Sequence, residues 1–297
     1  MKPNITNIYI LVIASFLIYF SGIIRGDVNE EEYLMLAKQK QFECVGQIMI
    51  DSASGGSCVL INENYVISAA HVFMESDTHA DTMDFNGQEV IVYNHSNERV
   101  INPNKLSVLI NGHKRMVTKI IIHPYYLDSL TKGSCDLAVL ELSQPLTEVL
   151  PAKINTKHDE LNAFVVGVGF GASGPADKPE LVDLFNKKIA GENTIDSIGG
   201  QEYNGFLTLL MCDFDHPTKD NCNKMGSNVP RPFEYICSGG DSGGGLFRLK
   251  NKAWELIGIT SGSGIKLEQF LQTGYYGQTM EWTRASVFND WIVEEIK

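Results

Sequence analysis

The sequence predicts an all-β protein built from antiparallel barrels, with one helix at its C-terminal end. Short apolar runs bounded by turn residues recur from residue 45 onward, at 48–50, 59–61, 65–67, 106–110, 116–122 and 137–142. Strand-like runs at such spacing are typical of antiparallel all-β barrels. The pattern changes at residues 283–297, where a helical spacing connects Val287, Phe288, Trp291, Ile292 and Ile296. This change of period predicts a helix after the last strand.

A polar segment divides the strand-rich region into two halves. Residues 143–159 carry Pro145 and Pro151 and lack a strand-like run. We therefore predict a first barrel at about 41–150, a second at about 160–282 and the helix at 283–297. The polar stretch between His71 and Leu106 is interpreted as an enlarged surface loop rather than a metal-binding loop.

The N-terminal residues have the character of a targeting segment. Lys2 precedes an apolar run at residues 8–20, and small residues follow it. This order is typical of a secretory signal peptide, which we place at residues 1–22 with a boundary as late as residue 26. The remaining chain, 23–297, is then a secreted, extracellular domain. The run is also about the shortest that spans a bilayer, so an uncleaved anchor is the alternative.

Composition narrows the class of function. The chain has 297 residues, of which 43% are hydrophobic and 20% charged, so it is able to bury a sizeable core. Its formal net charge of −12 disfavours nucleic acid as a partner, because phosphates would be repelled. The six cysteines show no paired C-x-x-C spacing, so we expect no zinc site, no other metal and no cofactor.

In a secreted chain the six cysteines suggest disulfides, for which fifteen connectivities exist. Cys44 and Cys58 flank a turn-rich segment and are candidates for pairing across a hairpin. Cys212 and Cys222 are able to close a short loop. Cys135 and Cys237 would then be left over, and the connectivity stays open.

The most informative stretch is residues 237–245, Cys-Ser-Gly-Gly-Asp-Ser-Gly-Gly-Gly. Glycine permits positive φ and close backbone approach, so this turn is suited to aiming N–H groups at a ligand oxygen. If Ser242 attacks a carbonyl, the N–H groups of Gly240 and Ser242 are the candidate oxyanion hole. Each such donor contributes about 3–4 kcal/mol to transition-state stabilisation.

Two earlier motifs supply the groups that a nucleophilic serine needs. His71 follows the strand-like run 65–67 and two alanines, and Asp136 stands before the apolar run 137–142. An imidazole removes a hydroxyl proton at neutral pH, and a buried carboxylate fixes its tautomer. The predicted catalytic residues are therefore His71, Asp136 and Ser242.

These three motifs, in this order, resemble those of the chymotrypsin/trypsin-like serine proteases. The resemblance implies a chymotrypsin-like fold of two antiparallel six-stranded β-barrels packed face to face, with a C-terminal helix. It implies a serine endopeptidase that acts on a polypeptide substrate, binds protein inhibitors and is a monomer. It also suggests that an ammonium at Ile23, freed by cleavage after Gly22, pairs with Asp241. The alternative is that Ile23 belongs to the apolar leader.

The resemblance also places a substrate-binding pocket. Ile236 stands where trypsin-like members carry the aspartate that holds Arg or Lys, and Met280 stands where many have glycine. A small or apolar side chain is therefore the predicted preference. Ser261, Gly262 and Ser263 resemble the strand that pairs with the substrate backbone, which places Ser261 close to Asp136.

A non-catalytic homologue that acts as a secreted binding or regulatory protein is the alternative function. Met280, one extra residue between Cys237 and Ser242, and the absence of a cysteine after His71 favour it. Against it, non-catalytic homologues commonly lose a triad residue, whereas this chain retains all three.

Overall fold

The computed structural model describes residues 11–12, 24–85, 88–128, 134–176, 178, 181, 183, 187–264 and 275–297. The side chains of residues 11, 12, 83–95, 220, 263 and 264 are not part of that description. Most of the predicted signal peptide, and Ile23, lie outside the described residues. No helix within these ranges combines the length and apolarity needed to cross a membrane.

The described chain is predominantly β-structure. Its strands are β1 (Leu11–Val12), β2 (Val45–Ile50), β3 (Ala53–Asn62), β4 (Tyr65–Ser68), β5 (Met74–Phe85), β6 (Gln88–Val100), β7 (Leu106–Ile110), β8 (His113–Ile122), β9 (Ala138–Leu142), β10 (Phe164–Gly169), β11 (Ile189–Thr194), β12 (Ser197–Tyr203), β13 (Phe206–Asp213), β14 (Gly245–Lys250), β15 (Ala253–Gly264) and β16 (Thr279–Arg284). Its helices are α1 (Glu30–Ala37), α2 (Pro124–Leu127) and α3 (Ala285–Glu295).

The first half forms the closed barrel that the strand spacing predicts. Its strands follow the order β2-β3-β4-β9-β8-β7, and every neighbouring pair is antiparallel. The inward-facing side chains are mostly aliphatic and fully buried, including Ile48, Val59, Val66, Val108 and Leu140. Burying such side chains supplies most of the driving force for closing the sheet.

The second half forms a seven-stranded antiparallel sheet in the order β11-β10-β14-β15-β16-β13-β12. The strands at its two edges, β11 and β12, are separated in the chain only by Ile195 and Asp196. The edges therefore approach each other at that point, and the sheet curls. The sequence predicts six strands in this half, whereas the structure has seven. The counts differ because β11 and β12, interrupted at these two residues, correspond to a single strand of the predicted barrel.

The polar stretch after His71 is a long hairpin instead of the predicted loop. β5 pairs with β6 from Met74↔Val100 to Phe85↔Gln88, and Leu11–Val12 pairs with the outer edge of β6. The β-branched and aromatic run at 90–93 explains this difference, because such residues favour strands.

The segment before the first barrel packs against the second half. Ile24 is buried and forms bridges with Pro175 and Tyr235. This segment also contains α1, whose Glu30 carboxylate accepts hydrogen bonds from Ser173 Oγ and Lys187 Nζ.

The C-terminal helix is confirmed as α3. It packs on β13 and β15 of the second half through buried side chains that include Val287 and Ile292. The Phe288 and Trp291 rings also contact the ring of His123 in the first half, at centroid distances of 4.9 and 4.7 Å.

All six cysteines are free thiols in this structure, so the suggested disulfides are not formed. The β2–β3 register places Cys58 opposite Gly46 and Val59 opposite Val45. Cys44 therefore lies diagonally from Cys58, not directly across from it. Cys212 is buried within β13, whereas Cys222 is only partly buried in a following turn.

Candidate active site

The barrel of the first half brings His71 and Asp136 together. β4 and β9 are neighbours with Ser68 opposite Ala138, so the residues just beyond this pair share one end of the barrel. His71 Nδ1 lies 2.6 Å from Asp136 Oδ2, and the His71 backbone N–H donates to Asp136 Oδ1 at 2.9 Å. The carboxylate thus fixes both the ring and the backbone of the histidine.

Asp136 receives further support from the second half. Ser261 Oγ donates to its Oδ2 at 2.8 Å, and Thr283 Oγ1 donates to its carbonyl at 3.0 Å. The Asp136 side chain is 6% exposed, whereas that of His71 is 39% exposed. Burial lowers the pKa of His71, but the charge and hydrogen bond of Asp136 raise it, and the net direction is upward.

The serine-bearing turn joins Cys237 to β14. Gly240 and Gly243 adopt φ values of +100° and +85°, which glycine reaches without strain. The buried Asp241 accepts N–H groups of Gly171 and Ser238 at 2.8 and 2.9 Å. Burial raises the pKa of Asp241 to about 6, and these two hydrogen bonds oppose that rise.

Three backbone N–H groups of this turn find no acceptor among the described residues. The N–H groups of Gly239, Gly240 and Ser242 donate to no described atom, whereas those of Asp241, Gly243 and Gly244 all donate to a backbone carbonyl. Unpaired donors are suited to receiving an oxygen from outside the protein. They include the N–H groups of Gly240 and Ser242, which the sequence assigned to an oxyanion hole.

Ser242 lies close to the His71 segment, but its hydroxyl is not bonded to the histidine. A Cβ built on Gly56 would lie 3.0 Å from the Ser242 carbonyl oxygen and 3.2 Å from a methyl group of Val72, the residue after His71. Within the described ranges the Ser242 hydroxyl makes no hydrogen bond to the His71 ring. Such contacts often form only when substrate is bound.

The predicted pocket residues meet beside the serine-bearing turn. Met280 is fully buried, and its Sδ accepts the Cys237 N–H at 3.1 Å. Ile236 is also fully buried. Met280 therefore fills space against residue 237. Position 236 carries no carboxylate to pair with a basic substrate side chain.

The nearby Glu234 is committed to the backbone. Its carboxyl oxygens accept the N–H groups of Asp215 and Arg231. Burial, together with the neighbouring Asp215 and Asp213 carboxylates, raises the pKa of Glu234 to about 8. A carboxyl group bonded in this way is not presented to a cationic substrate side chain.

Among the described residues, β15 offers an open strand edge next to this pocket. β15 pairs with β14 only as far as Ile259, whereas its pairing with β16 continues through Gly262 and Ser263. A Cβ built on Gly262 would meet no atom of the described residues within 4 Å. An extended peptide therefore has room to pair with this stretch of backbone.

Some supporting groups carry no sequence signal. Thr283 donates a hydrogen bond to Asp136, and Ser57 donates one to the serine-bearing turn. Both partners are far away in the sequence, and neither Thr283 nor Ser57 belongs to a motif. A serine in a strand gives no sign of its partner when that partner is 183 residues away. Across the described chain, no cluster of three or more His, Cys, Asp or Glu side chains is arranged to hold a metal ion.

Comparison with known families agrees with this architecture. The family model for trypsin matches residues 36–292, which includes the first barrel, the second sheet and most of the C-terminal helix. Since the match covers far more than half of the sequence, the chain belongs to the trypsin family of chymotrypsin-like serine proteases.

Proposed function

We propose that this protein is a secreted serine endopeptidase in which His71, Asp136 and Ser242 form the catalytic triad. The observation that carries the proposal is the 2.6 Å contact between His71 Nδ1 and the buried Asp136 carboxylate. This contact leaves the other ring nitrogen free to act as the base, beside a turn whose Gly240 and Ser242 N–H groups find no acceptor among the described residues.

The residues divide the chemistry as follows. His71 removes the Ser242 proton while Asp136 stabilises the imidazolium, and Ser242 attacks the peptide carbonyl. The N–H groups of Gly240 and Ser242 stabilise the oxyanion. Protonated His71 then gives its proton to the leaving amine, and water hydrolyses the acyl-enzyme with His71 again as base.

The raised pKa of His71 sets a direction for the pH dependence. The ring acts as a base only when neutral, so kcat/KM should rise with pH through a pKa above the usual 6.5.

The substrate is proposed to be an extended polypeptide with a small or apolar residue before the scissile bond. The open edge at Gly262 supports backbone pairing, and Ser261 and Ser263 flank it. The buried Met280 and Ile236 support a shallow pocket without a counter-charge for Arg or Lys. The protein is proposed to act as a monomer that protein inhibitors are able to block, without a cofactor.

Reaction with a fluorophosphonate probe tests the proposal directly. We expect the native protein to be labelled and the Ser242→Ala variant to remain unlabelled, because the probe reacts with an activated serine. The Ser143→Ala variant, which alters an exposed serine after β9, is the matched control and should label like the native protein. Absence of labelling of the folded native protein would contradict catalysis.

A peptide-library cleavage profile tests the specificity. We expect cleavage after small or apolar residues in the native protein. Met280→Gly should enlarge the pocket by the volume of a few methylene groups. We therefore expect kcat/KM for substrates with a larger side chain before the scissile bond to rise about tenfold. A native preference for Arg or Lys would refute the proposed pocket while leaving the triad intact.

The non-catalytic alternative is favoured by one specific observation, the Met280 side chain packed against Cys237. A protein of this kind would bind a partner but neither label nor cleave. The probe experiment therefore separates the two functions.

A further inference from the structure

Ser57 uses all of its polar groups at the boundary between the two halves. It lies in β3 of the first barrel and is fully buried. Its N–H donates to the Ser242 carbonyl at 2.8 Å, and its Oγ donates to the Gly240 carbonyl at 2.9 Å. The same Oγ accepts the Phe170 N–H at 3.0 Å, and the Ser57 carbonyl accepts Ser68 Oγ at 2.7 Å.

Two of these bonds end on either side of the Ser242 N–H group. A peptide unit is planar, so a bond to its carbonyl restrains the whole unit. Ser57 restrains the unit that begins at Gly240 and the unit that begins at Ser242. The unit between them carries the Ser242 N–H, and its orientation depends on the two restrained neighbours.

The turn is pressed closely against this part of the first barrel. A Cβ built on Gly243 would lie 2.0 Å from Ser68 Oγ and 2.2 Å from the Ser57 carbonyl oxygen. No side chain fits there, and the φ of +85° at Gly243 independently favours glycine. The close contact therefore leaves little room for the serine-bearing turn to move relative to Ser57.

We propose that Ser57 is a positioning residue that clamps the serine-bearing turn onto the first barrel and thereby orients the oxyanion-binding N–H groups. This role rests on the proposed peptidase function. Ser57 does not touch the substrate, and it acts through the carbonyls of Gly240 and Ser242. A purely structural serine would instead affect the amount of folded protein without changing the chemistry at each site.

The test is Ser57→Ala, which removes the hydroxyl but retains the backbone N–H. Active-site titration gives the concentration of competent sites, and kcat is then expressed per site. We expect kcat per site to fall about 10- to 100-fold with KM changed less than twofold, since an oxyanion donor acts mainly in the transition state. Affinity for a peptide trifluoromethyl ketone, which binds as an oxyanion, should fall in parallel.

Ser107→Ala is the matched control, because Ser107 is also buried in the first barrel but lies in β7, away from the turn. It should leave kcat per site and inhibitor affinity unchanged. Ser68→Ala is a second test that applies even if Ser57→Ala does not fold. It loosens the support of the Ser57 carbonyl and should lower kcat per site about two- to fivefold.

The outcomes separate the two proposals. An active native protein whose variants at Ser57 and Ser68 keep the native kcat per site overturns the clamp alone. A folded native protein that neither labels nor cleaves overturns the proposed function, and the positioning role with it. A parallel loss of kcat and inhibitor affinity, absent in the Ser107 control, supports the clamp.

Discussion

The two halves of the molecule differ in the number of charged side chains that they bury. Among the described residues, the first half buries a single Asp, Glu, Lys or Arg side chain, that of Asp136. The second half buries seven, Glu160, Asp213, Asp215, Glu234, Asp241, Arg248 and Arg284. Burying a charge is costly unless it is paired, hydrogen-bonded or neutralised. The second half therefore needs more such compensating interactions than the first.

The first barrel places one carboxylate in a mainly aliphatic frame and directs it at a histidine. The second half instead uses carboxyl groups as internal connectors. Asp213 accepts the N–H groups of Lys224 and Met225, and Glu234 accepts those of Asp215 and Arg231. The first barrel thus places one carboxylate beside a histidine, whereas in the second half carboxyl groups tie neighbouring backbone segments together.

The largest predicted effect comes from removing the single buried charge of the first barrel. Asp136→Asn should lower kcat about 10⁴-fold, because an amide favours the wrong tautomer of His71. Peptide hydrolysis and the rate of fluorophosphonate labelling both measure this loss. The thermal midpoint should show that the variant is folded. A folded variant that retained a tenth of the native kcat would remove Asp136 from the mechanism.

The next effect tests the charge pairs of the second half. Glu160 accepts two hydrogen bonds from the Arg284 guanidinium and one each from Asn155 and Ser286. Glu160→Gln leaves a buried guanidinium without its counter-charge, and we expect a loss of about 3–5 kcal/mol in unfolding free energy. Urea denaturation measures the loss.

The exposed Glu148, paired with Arg115, provides the control for that measurement. Glu148→Gln should leave the urea midpoint unchanged, because exposed pairs contribute little. Equal losses of unfolding free energy in Glu148→Gln and Glu160→Gln would contradict the expected difference between the surface pair and the buried pair.

A smaller effect follows from the raised pKa of Glu234, about 8 in the folded protein against 4.5 when unperturbed. Between these values the folded state holds a proton that the unfolded state has released. Stability should therefore fall as pH rises through this window, by at most roughly 1.4 kcal/mol per pH unit for one group. Asp215, whose pKa burial raises to about 7, acts in the same direction.

Glu234→Gln should flatten this decline, whatever it does to stability at a single pH. Denaturation midpoints between pH 5 and 9 give the slope. Glu294→Gln, on the exposed face of α3, should keep the native slope. An unchanged slope in Glu234→Gln would mean that the carboxyl ionises normally in the folded protein.

The smallest effect has the opposite sign and belongs to the first half. Burial among aromatic rings lowers the pKa of His123 to about 4, so the folded state keeps it neutral while the unfolded state binds a proton below about 6.5. Stability should thus be lost on acidification from about pH 6.5 to 4. His123→Phe retains a ring and should weaken this acid dependence, as followed by thermal unfolding; a native-like acid dependence would count against the assignment.

The sequence was most informative where the required residues are neighbours. The strands of the first barrel, α3 and the three motifs at 71, 136 and 242 all have short-range signatures, either a period or a residue run. The hairpin β5–β6 was missed because its polar composition outweighed the β-branched run. Predictions were weakest for contacts between halves, since neither Ser57 nor Glu160 shows its distant partners in the local sequence.

The division of the site between the halves has a consequence for assembly. His71 and Asp136 belong to the first barrel and Ser242 to the second half, and the link at residues 143–159 lies between them. Neither half alone contains all three proposed catalytic residues. If the proposed triad is correct, turnover requires the two halves to be docked, and we expect two separately produced fragments to gain activity only when they reassociate.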